Sequence, residues 1–128
     1  MYRDCFVIMP FTDSFDGIWE NVIRVTVANH GDGCFRADDL FGPGQIMNDL
    51  IQSIRDCNHL IADLTGRNAN VFYELGFAHA LDKPVVLITQ DLADVPFDLR
   101  HQRIIEYTDT AGGAARLARQ LEKYIRNM

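Results

Sequence analysis

The chain has 128 residues, 48% of them hydrophobic and 23% charged, which suits one domain over residues 1–128 with a core of its own. Its net charge of −6 argues against binding nucleic acid polymers, because these require a basic face. No signal peptide or run approaching the ~20 apolar residues of a membrane span is found, and the cysteines Cys5, Cys34 and Cys57 show no metal spacing. We therefore expect a cytoplasmic domain with reduced thiols and no membrane partner.

Short apolar runs typical of buried strands alternate with segments of helical periodicity along the whole chain. In chain order the predicted elements are strand one (5–9), helix one (from 15 to about 30), strand two (34–37), helix two (46–54), strand three (59–62), helix three (71–81), strand four (85–88), strand five (103–107) and a C-terminal helix (114–125). Residues 90–100 are predicted to form a polar loop that is long enough to act as a lid or rim of a site.

This alternation predicts an α/β fold, a three-layer doubly wound sandwich around a five-stranded parallel sheet. Right-handed crossovers favour the flavodoxin-like strand order 2-1-3-4-5, whose switch point lies between strands one and three. Ligands of such folds bind beyond the carboxyl ends of the strands. We therefore expect a pocket with residues 9–12 on one side and residues 63–70 on the other, and with Thr89 on its flank.

Glu74 is the single acid in the otherwise apolar helix three. An acid in the first turns of a helix gains ~0.3–1 kcal/mol from the helix dipole, and that role suits a solvated face. Phe72, Tyr73 and Leu75 leave few solvated positions, however, and a partly buried carboxylate tends to have a raised pKa and to act as acid, base or nucleophile. Both interpretations of Glu74 stay open on the sequence alone.

Three polar residues near the end of strand three have two interpretations each. Asp63 is placed either to bind sugar hydroxyls or to cap the bend at residues 64–66. Asn68 and Asn70 are more often caps and turn residues than ligands. The histidines form no metal-like spacing with acids or cysteines, so no metal site is predicted.

Residues 7–11 (VIMPF), 61–89 (IADLTGRNANVFYELGFAHALDKPVVLIT) and 95–107 (VPFDLRHQRIIEY) resemble the nucleoside 2-deoxyribosyltransferase-like group. The closest resemblance is to its bacterial branch of nucleotide-binding, TIR-like domains. Residues 37–54 (ADDLFGPGQIMNDLIQSI) are similar to the loop and helix after strand two of TIR domains.

The resemblance implies cleavage of an N-glycosidic bond, with Glu74 attacking C1′ and Asp63 holding sugar hydroxyls and orienting Glu74. It implies no cofactor, and it implies a homo-oligomer that binds a nucleoside, a nucleotide or an NAD-like dinucleotide. The substrate-binding residues expected on this basis are Met9, Pro10, Phe11, Thr12, Asp38, Thr65, Asn68 and Asn70.

The chain also departs from the transferases at two places. They carry a tyrosine on or near strand one that contacts the catalytic glutamate, where this chain has residues 5–7 (CFV). They also carry an acid in the loop before the glutamate helix, where this chain has Asn68. The second departure weakens the expectation of base exchange more than that of binding or hydrolysis.

Two functions of different classes follow from these observations. The first is an N-glycosidase or glycosyl transferase with Glu74 as nucleophile, which a buried Glu74 with a raised pKa and a nearby Asp63 would favour. The second is a non-catalytic nucleotide-binding module that signals by assembly. A Glu74 paired with Arg67 or Arg100, or a pocket filled by Phe11 or Phe97, would favour the second. A purely structural partner-binding domain is disfavoured by the polar loops at the switch point.

Overall fold

The computed structural model describes residues 4–36 and 47–127. Its strands are β1 (Asp4–Ile8), β2 (Gly33–Arg36), β3 (His59–Asp63), β4 (Val85–Thr89) and β5 (Ile104–Glu106). Its helices are α1, made of the consecutive segments Asp16–Ile18, Trp19–Ile23 and Arg24–Asn29, then α2 (Met47–Asp56), α3 (Ala69–Ala80) and α4 (Ala111–Arg126). Strand and helix alternate as predicted, with ends shifted by a few residues.

Two local features differ from the predicted pattern. The middle segment of α1, Trp19–Ile23, is π-helical. Apolar periodicity does not reveal this, because the apolar residues Trp19, Val22 and Ile23 of the segment are still buried. The expected loop at 90–100 contains two 3-10 turns, Leu92–Asp94 and Phe97–Leu99. Between these turns Val95 is buried in the core, so this segment is anchored to the domain.

The five strands form one parallel sheet in the order β2-β1-β3-β4-β5. This confirms the flavodoxin-like α/β fold. The order reverses between β1 and β3, where Val7 pairs with Ile61 and Ile8 with Ala62. The carboxyl ends of these two strands therefore lie side by side at the switch point, which is the usual ligand site of such folds.

Both faces of the sheet are buried, which explains why the strands have continuous apolar runs. Cys5 and Val7 of β1 pack with α1 and α4, while Phe6 and Ile8 pack with α2 and α3. The three cysteines are free thiols, two of them buried. Within the described ranges no helix is both long and apolar enough to cross a membrane.

The start of α4 depends on a close approach between Gly113 and Thr108. A Cβ atom at Gly113 would overlap the hydroxyl and the carbonyl oxygen of Thr108, whereas a Cβ at the neighbouring Gly112 would meet nothing. We expect Gly113→Ala to lower the free energy of unfolding by about 1–3 kcal/mol through this overlap. Gly112→Ala is the matched control and should leave it unchanged or slightly raised. Thermal unfolding followed by circular dichroism compares the two variants, and equal melting temperatures would contradict the expectation.

Candidate active site

An open cleft of about 460 Å³ lies at the carboxyl edge of the sheet. It is lined by Pro10, Thr12, Ser14, Phe15, Thr65, Gly66, Asn68, Gln90 and Asp109. The structure thus brings together four of the substrate-binding residues predicted from the sequence, namely Pro10, Thr12, Thr65 and Asn68. Gln90 follows β4 directly, and Asp109 lies three residues after the end of β5. The rule that ligands bind beyond the carboxyl ends of parallel strands is the sequence signal that points to both.

Three other predicted substrate-binding residues lie outside the lining of this cleft. Met9 is buried in the core between the sheet and α1 and α4. Phe11 is 54% exposed, with its ring over the guanidinium of Arg36 at 5.4 Å from the ring centroid. Asn70 is exposed in the first turn of α3, and Asp38 lies outside the described residues.

Asp63 is fully buried at the end of β3. Its Oδ1 accepts hydrogen bonds from the backbone N–H (3.0 Å) and the hydroxyl (2.6 Å) of Thr65, and its Oδ2 accepts one from the hydroxyl of Tyr107. Burial raises the pKa of Asp63, and the hydrogen bonds from Thr65 and Tyr107 oppose that rise. Asp63 therefore has the turn-forming contacts considered from the sequence, and it joins the ends of β3 and β5.

Tyr107 determines how Gln90 is oriented. Its hydroxyl donates its single hydrogen to Asp63, so it must act as acceptor towards the amide Nε2 of Gln90, 3.2 Å away. The backbone N–H of Gln90 in turn donates to the hydroxyl of Thr65 at 2.9 Å. Burial raises the pKa of Tyr107, and the neighbouring carboxylate of Asp63 raises it further, so the phenol stays protonated. Sequence reasoning did not select Tyr107 as a functional residue.

The loop between β3 and α3 is fixed at both ends. Gly66 and Arg67 have positive φ angles of 81° and 55°, and the backbone N–H of Gly66 donates to Asp94 at 2.7 Å. Asn68 caps α3, because its Oδ1 accepts from the backbone N–H groups of residues 70 and 71 at 2.9 and 3.2 Å. The amide Nδ2 of Asn68 is left as a donor at the wall of the cleft.

Glu74 is half-buried on α3, outside the lining of the cleft. It lies six residues after Asn68, about 9 Å along the helix axis at 1.5 Å per residue. Burial raises the pKa of Glu74 to about 7. Its carboxyl group forms no hydrogen bond or ion pair with any of the described residues, so neither Arg67 nor Arg100 neutralises it.

Neither aromatic side chain that could have closed the site does so. Phe11 and Phe97 are 54% and 82% exposed, and neither lines the cleft. Over residues 4–36 and 47–127, no group of three or more His, Cys, Asp or Glu side chains is arranged to hold a metal ion. The described part of the site is therefore open and polar, and it is built from strand ends and the start of α3.

Comparison with known proteins identifies the fold but no family. No protein-family model matches the chain, and no curated protein is significantly similar to it. Among solved structures, a CMP N-glycosidase of Clostridium botulinum superposes with a TM-score of 0.72 at 18% identity, over 95% of this chain and 99% of that one. The TIR domain of a Toll-related receptor from Hydra magnipapillata superposes with a TM-score of 0.71 at 16% identity, over 95% and 97%.

A 2-deoxyribosyltransferase of Leishmania mexicana is also similar, with a TM-score of 0.58 at 24% identity. That match covers 70% of this chain and 65% of the other, which is less than two thirds of the Leishmania protein. The structures similar in fold thus include deoxyribosyltransferases, an N-glycosidase and TIR domains, the classes to which the sequence resemblance points. At these identities the likeness shows the shared fold.

Proposed function

We propose that this protein cleaves or transfers at the N-glycosidic bond of a nucleoside, nucleotide or NAD-like ligand, with Glu74 as the nucleophile. The observation that carries the proposal is the half-buried carboxyl group of Glu74, which has a pKa of about 7 and no partner among the described residues. A carboxylate that is not held by a cation, and that ionises near neutral pH, is suited to attack an electrophilic carbon.

The chemistry takes two steps. The ionised carboxylate of Glu74 forms a bond to C1′ of the sugar while the C1′–N bond breaks, and the base leaves with the bonding electrons. A purine or pyrimidine then takes up a proton from solvent, whereas nicotinamide leaves as the neutral base. Water, which gives up a proton to solvent, or a second base then attacks C1′, and the carboxylate of Glu74 is released. Both transition states carry positive charge on the sugar, which a neighbouring carboxylate stabilises.

The cleft and Glu74 have separate parts in this proposal. The ligand would lie across the first turns of α3, with its base in the cleft and its C1′ near Glu74. Asn68 and Glu74 are about 9 Å apart along the helix axis, and the ligand would span this separation from the far edge of its base to C1′. Asp63, whose carboxylate is occupied by Thr65 and Tyr107, would act as a positioning residue that fixes the wall of the cleft.

The pH dependence of cleavage tests the role of Glu74. A nucleophilic carboxylate must be ionised, so we expect kcat/KM to rise with pH and to reach half its maximum near the Glu74 pKa of about 7. Release of free base or nicotinamide is measured by chromatography against nucleosides, deoxynucleosides, nucleotides and NAD. A rate that is flat from pH 5 to pH 8 would contradict this role, because the carboxyl group changes its charge within that range.

A second candidate function is a nucleotide-binding module that acts by assembly without turnover. It is favoured by the fold shared with the Hydra TIR domain and by two exposed aromatic side chains, Tyr73 at 57% and Phe97 at 82%. Such a module should change its oligomeric state in analytical ultracentrifugation when nucleotide is added, with no base released. A homo-oligomer that releases base would support the enzyme instead.

A further inference from the structure

Asp109 gives the cleft its electrostatic character. Of the nine described residues that line the cleft, Asp109 alone has an ionisable side chain. The described lining therefore offers one negative charge and no lysine or arginine side chain. Arg67, which stands between the lining residues Gly66 and Asn68 along the chain, is exposed and does not line the cleft.

The arginine at the end of β2 is already engaged. Arg36 is buried, with its guanidinium 5.4 Å from the ring centroid of Phe11 and 5.1 Å from that of Trp19. It also pairs with Asp16 at 3.7 Å. A guanidinium held between two rings and an acid contributes to packing and is not presented to the cleft.

The polar groups of the cleft form a mixed set of donors and acceptors. The cap at α3 leaves the Nδ2 of Asn68 as a donor, and the bond to Tyr107 leaves the Oε1 of Gln90 as an acceptor. Asp109 is exposed, and its carboxylate forms no hydrogen bond with the described residues. A ligand edge that carries both a carbonyl and N–H groups, such as the edge of a nucleobase, complements these donors and acceptors.

We infer that Asp109 is a ligand-contacting specificity residue and that the cleft takes an amine-bearing nucleobase and not a phosphate. The inference rests on the proposed function for its assumption that the ligand is of the nucleoside type. The carboxylate would accept a charge-assisted hydrogen bond from an exocyclic amine. A 5′-phosphate would be repelled by the same carboxylate, so it must lie outside the cleft.

The test measures binding in the Glu74→Gln protein, which separates recognition from turnover. The probes are two pairs that differ by an amine in place of a carbonyl, deoxycytidine with deoxyuridine and deoxyadenosine with deoxyinosine. We expect calorimetry to show that the amine member of at least one pair binds more tightly. Adding Asp109→Asn should weaken that member on the order of tenfold or more and should change its partner by less than about threefold.

The matched control is Asp98→Asn, which removes the same charge from an exposed position outside the cleft and should leave binding unchanged. The 5′-monophosphate of the preferred nucleoside should bind no more tightly than the nucleoside. The inference would be overturned if Asp109→Asn lowered the affinity of both members of a pair equally. It would also be overturned if the monophosphate bound more tightly than the nucleoside, or if no probe bound.

Turnover by the wild-type protein is measured in parallel, so that the two proposals can fail separately. An amine preference that depends on Asp109, without release of base by wild type, would retain the recognition site and reject the role of Glu74. If release of base depended on Glu74 but the Asp109→Asn protein bound the probes as tightly as the protein with Asp109, the role of Glu74 would be retained and the role of Asp109 rejected.

Discussion

Glu74→Gln is expected to reduce base release roughly 10³-fold or more, because an amide oxygen is a far weaker nucleophile than a carboxylate. The substitution keeps the shape of the side chain and, since Glu74 has no partner among the described residues, breaks no hydrogen bond there. Base release by chromatography gives the rate, and calorimetry gives the affinity. Binding should persist, so that the loss falls on kcat. Glu122→Gln is the matched control, because it removes an exposed acid of α4 paired only with Arg126 and should leave the rate unchanged.

The same substitution has a predicted effect on stability with a definite sign. The pKa of Glu74 is about 7 in the folded chain against an ordinary 4.5, so folding takes up a proton between these values. The wild-type protein therefore loses stability as pH rises from about 4.5 to about 7. The Gln variant lacks this loss. Its melting temperature should therefore be similar to that of the wild-type protein at low pH and higher than that of the wild-type protein above pH 7. If the Gln variant kept the wild-type rate, Glu74 would not be the nucleophile. If the difference in melting temperature between the two proteins did not change with pH, burial would not raise the pKa of Glu74.

Tyr107→Phe is expected to lower the free energy of unfolding by about 1–3 kcal/mol, because it leaves buried polar groups without partners. The removed hydroxyl is the donor to Asp63 and the acceptor for Gln90. For a domain of this size such a loss lowers the melting temperature by several degrees. Tyr124→Phe is the control, since it removes a phenol hydroxyl that forms no hydrogen bond with the described residues.

The loss caused by Tyr107→Phe should grow with pH. Burial already raises the pKa of Asp63, and the Tyr107 hydrogen bond is one of the contacts that opposes this rise. Without that bond the ionised form of Asp63 is less stable, so the variant loses most stability at a pH where Asp63 is ionised in the wild-type protein. Melting temperatures of the two proteins at pH 5 and pH 8 give the comparison. A difference that shrinks at pH 8 would show that the hydroxyl does not support a charged Asp63.

The strands of this protein can be predicted from sequence because both faces of a parallel sheet are buried, which demands uninterrupted apolar runs such as those of β1 and β4. The strand order follows as well, since five parallel strands with right-handed crossovers leave few arrangements. The expected position of a ligand site at the switch point follows from the order. Those properties depend on local pattern and on general rules of chain connection, and the sequence determines them by itself.

The partners of individual polar groups depend on contacts between residues far apart in the chain. Tyr107 reaches Asp63 across 44 residues, and Gln90 adjoins Thr65 because β3 and β4 are neighbours. Residues 5–7 of strand one contain no tyrosine. Among the described residues, the tyrosine that contacts Asp63 is Tyr107, from the segment after β5. No spacing in the sequence announces such a pair.

The tertiary structure also decides the state of each acid, because burial depends on all the elements that surround a side chain. By residue type and apolar neighbours alone, Asp63 and Glu74 are alike, and the sequence does not show which of them is paired. Packing leaves Asp63 fully buried and hydrogen-bonded but leaves Glu74 half-buried and without such a partner among the described residues. The sequence by itself determined the fold and the edge of the sheet at which a ligand site is expected. Only the tertiary structure showed that Asp63 is engaged by hydrogen bonds and that Glu74 has no partner among the described residues, because that difference lies in desolvation and in long-range hydrogen bonds.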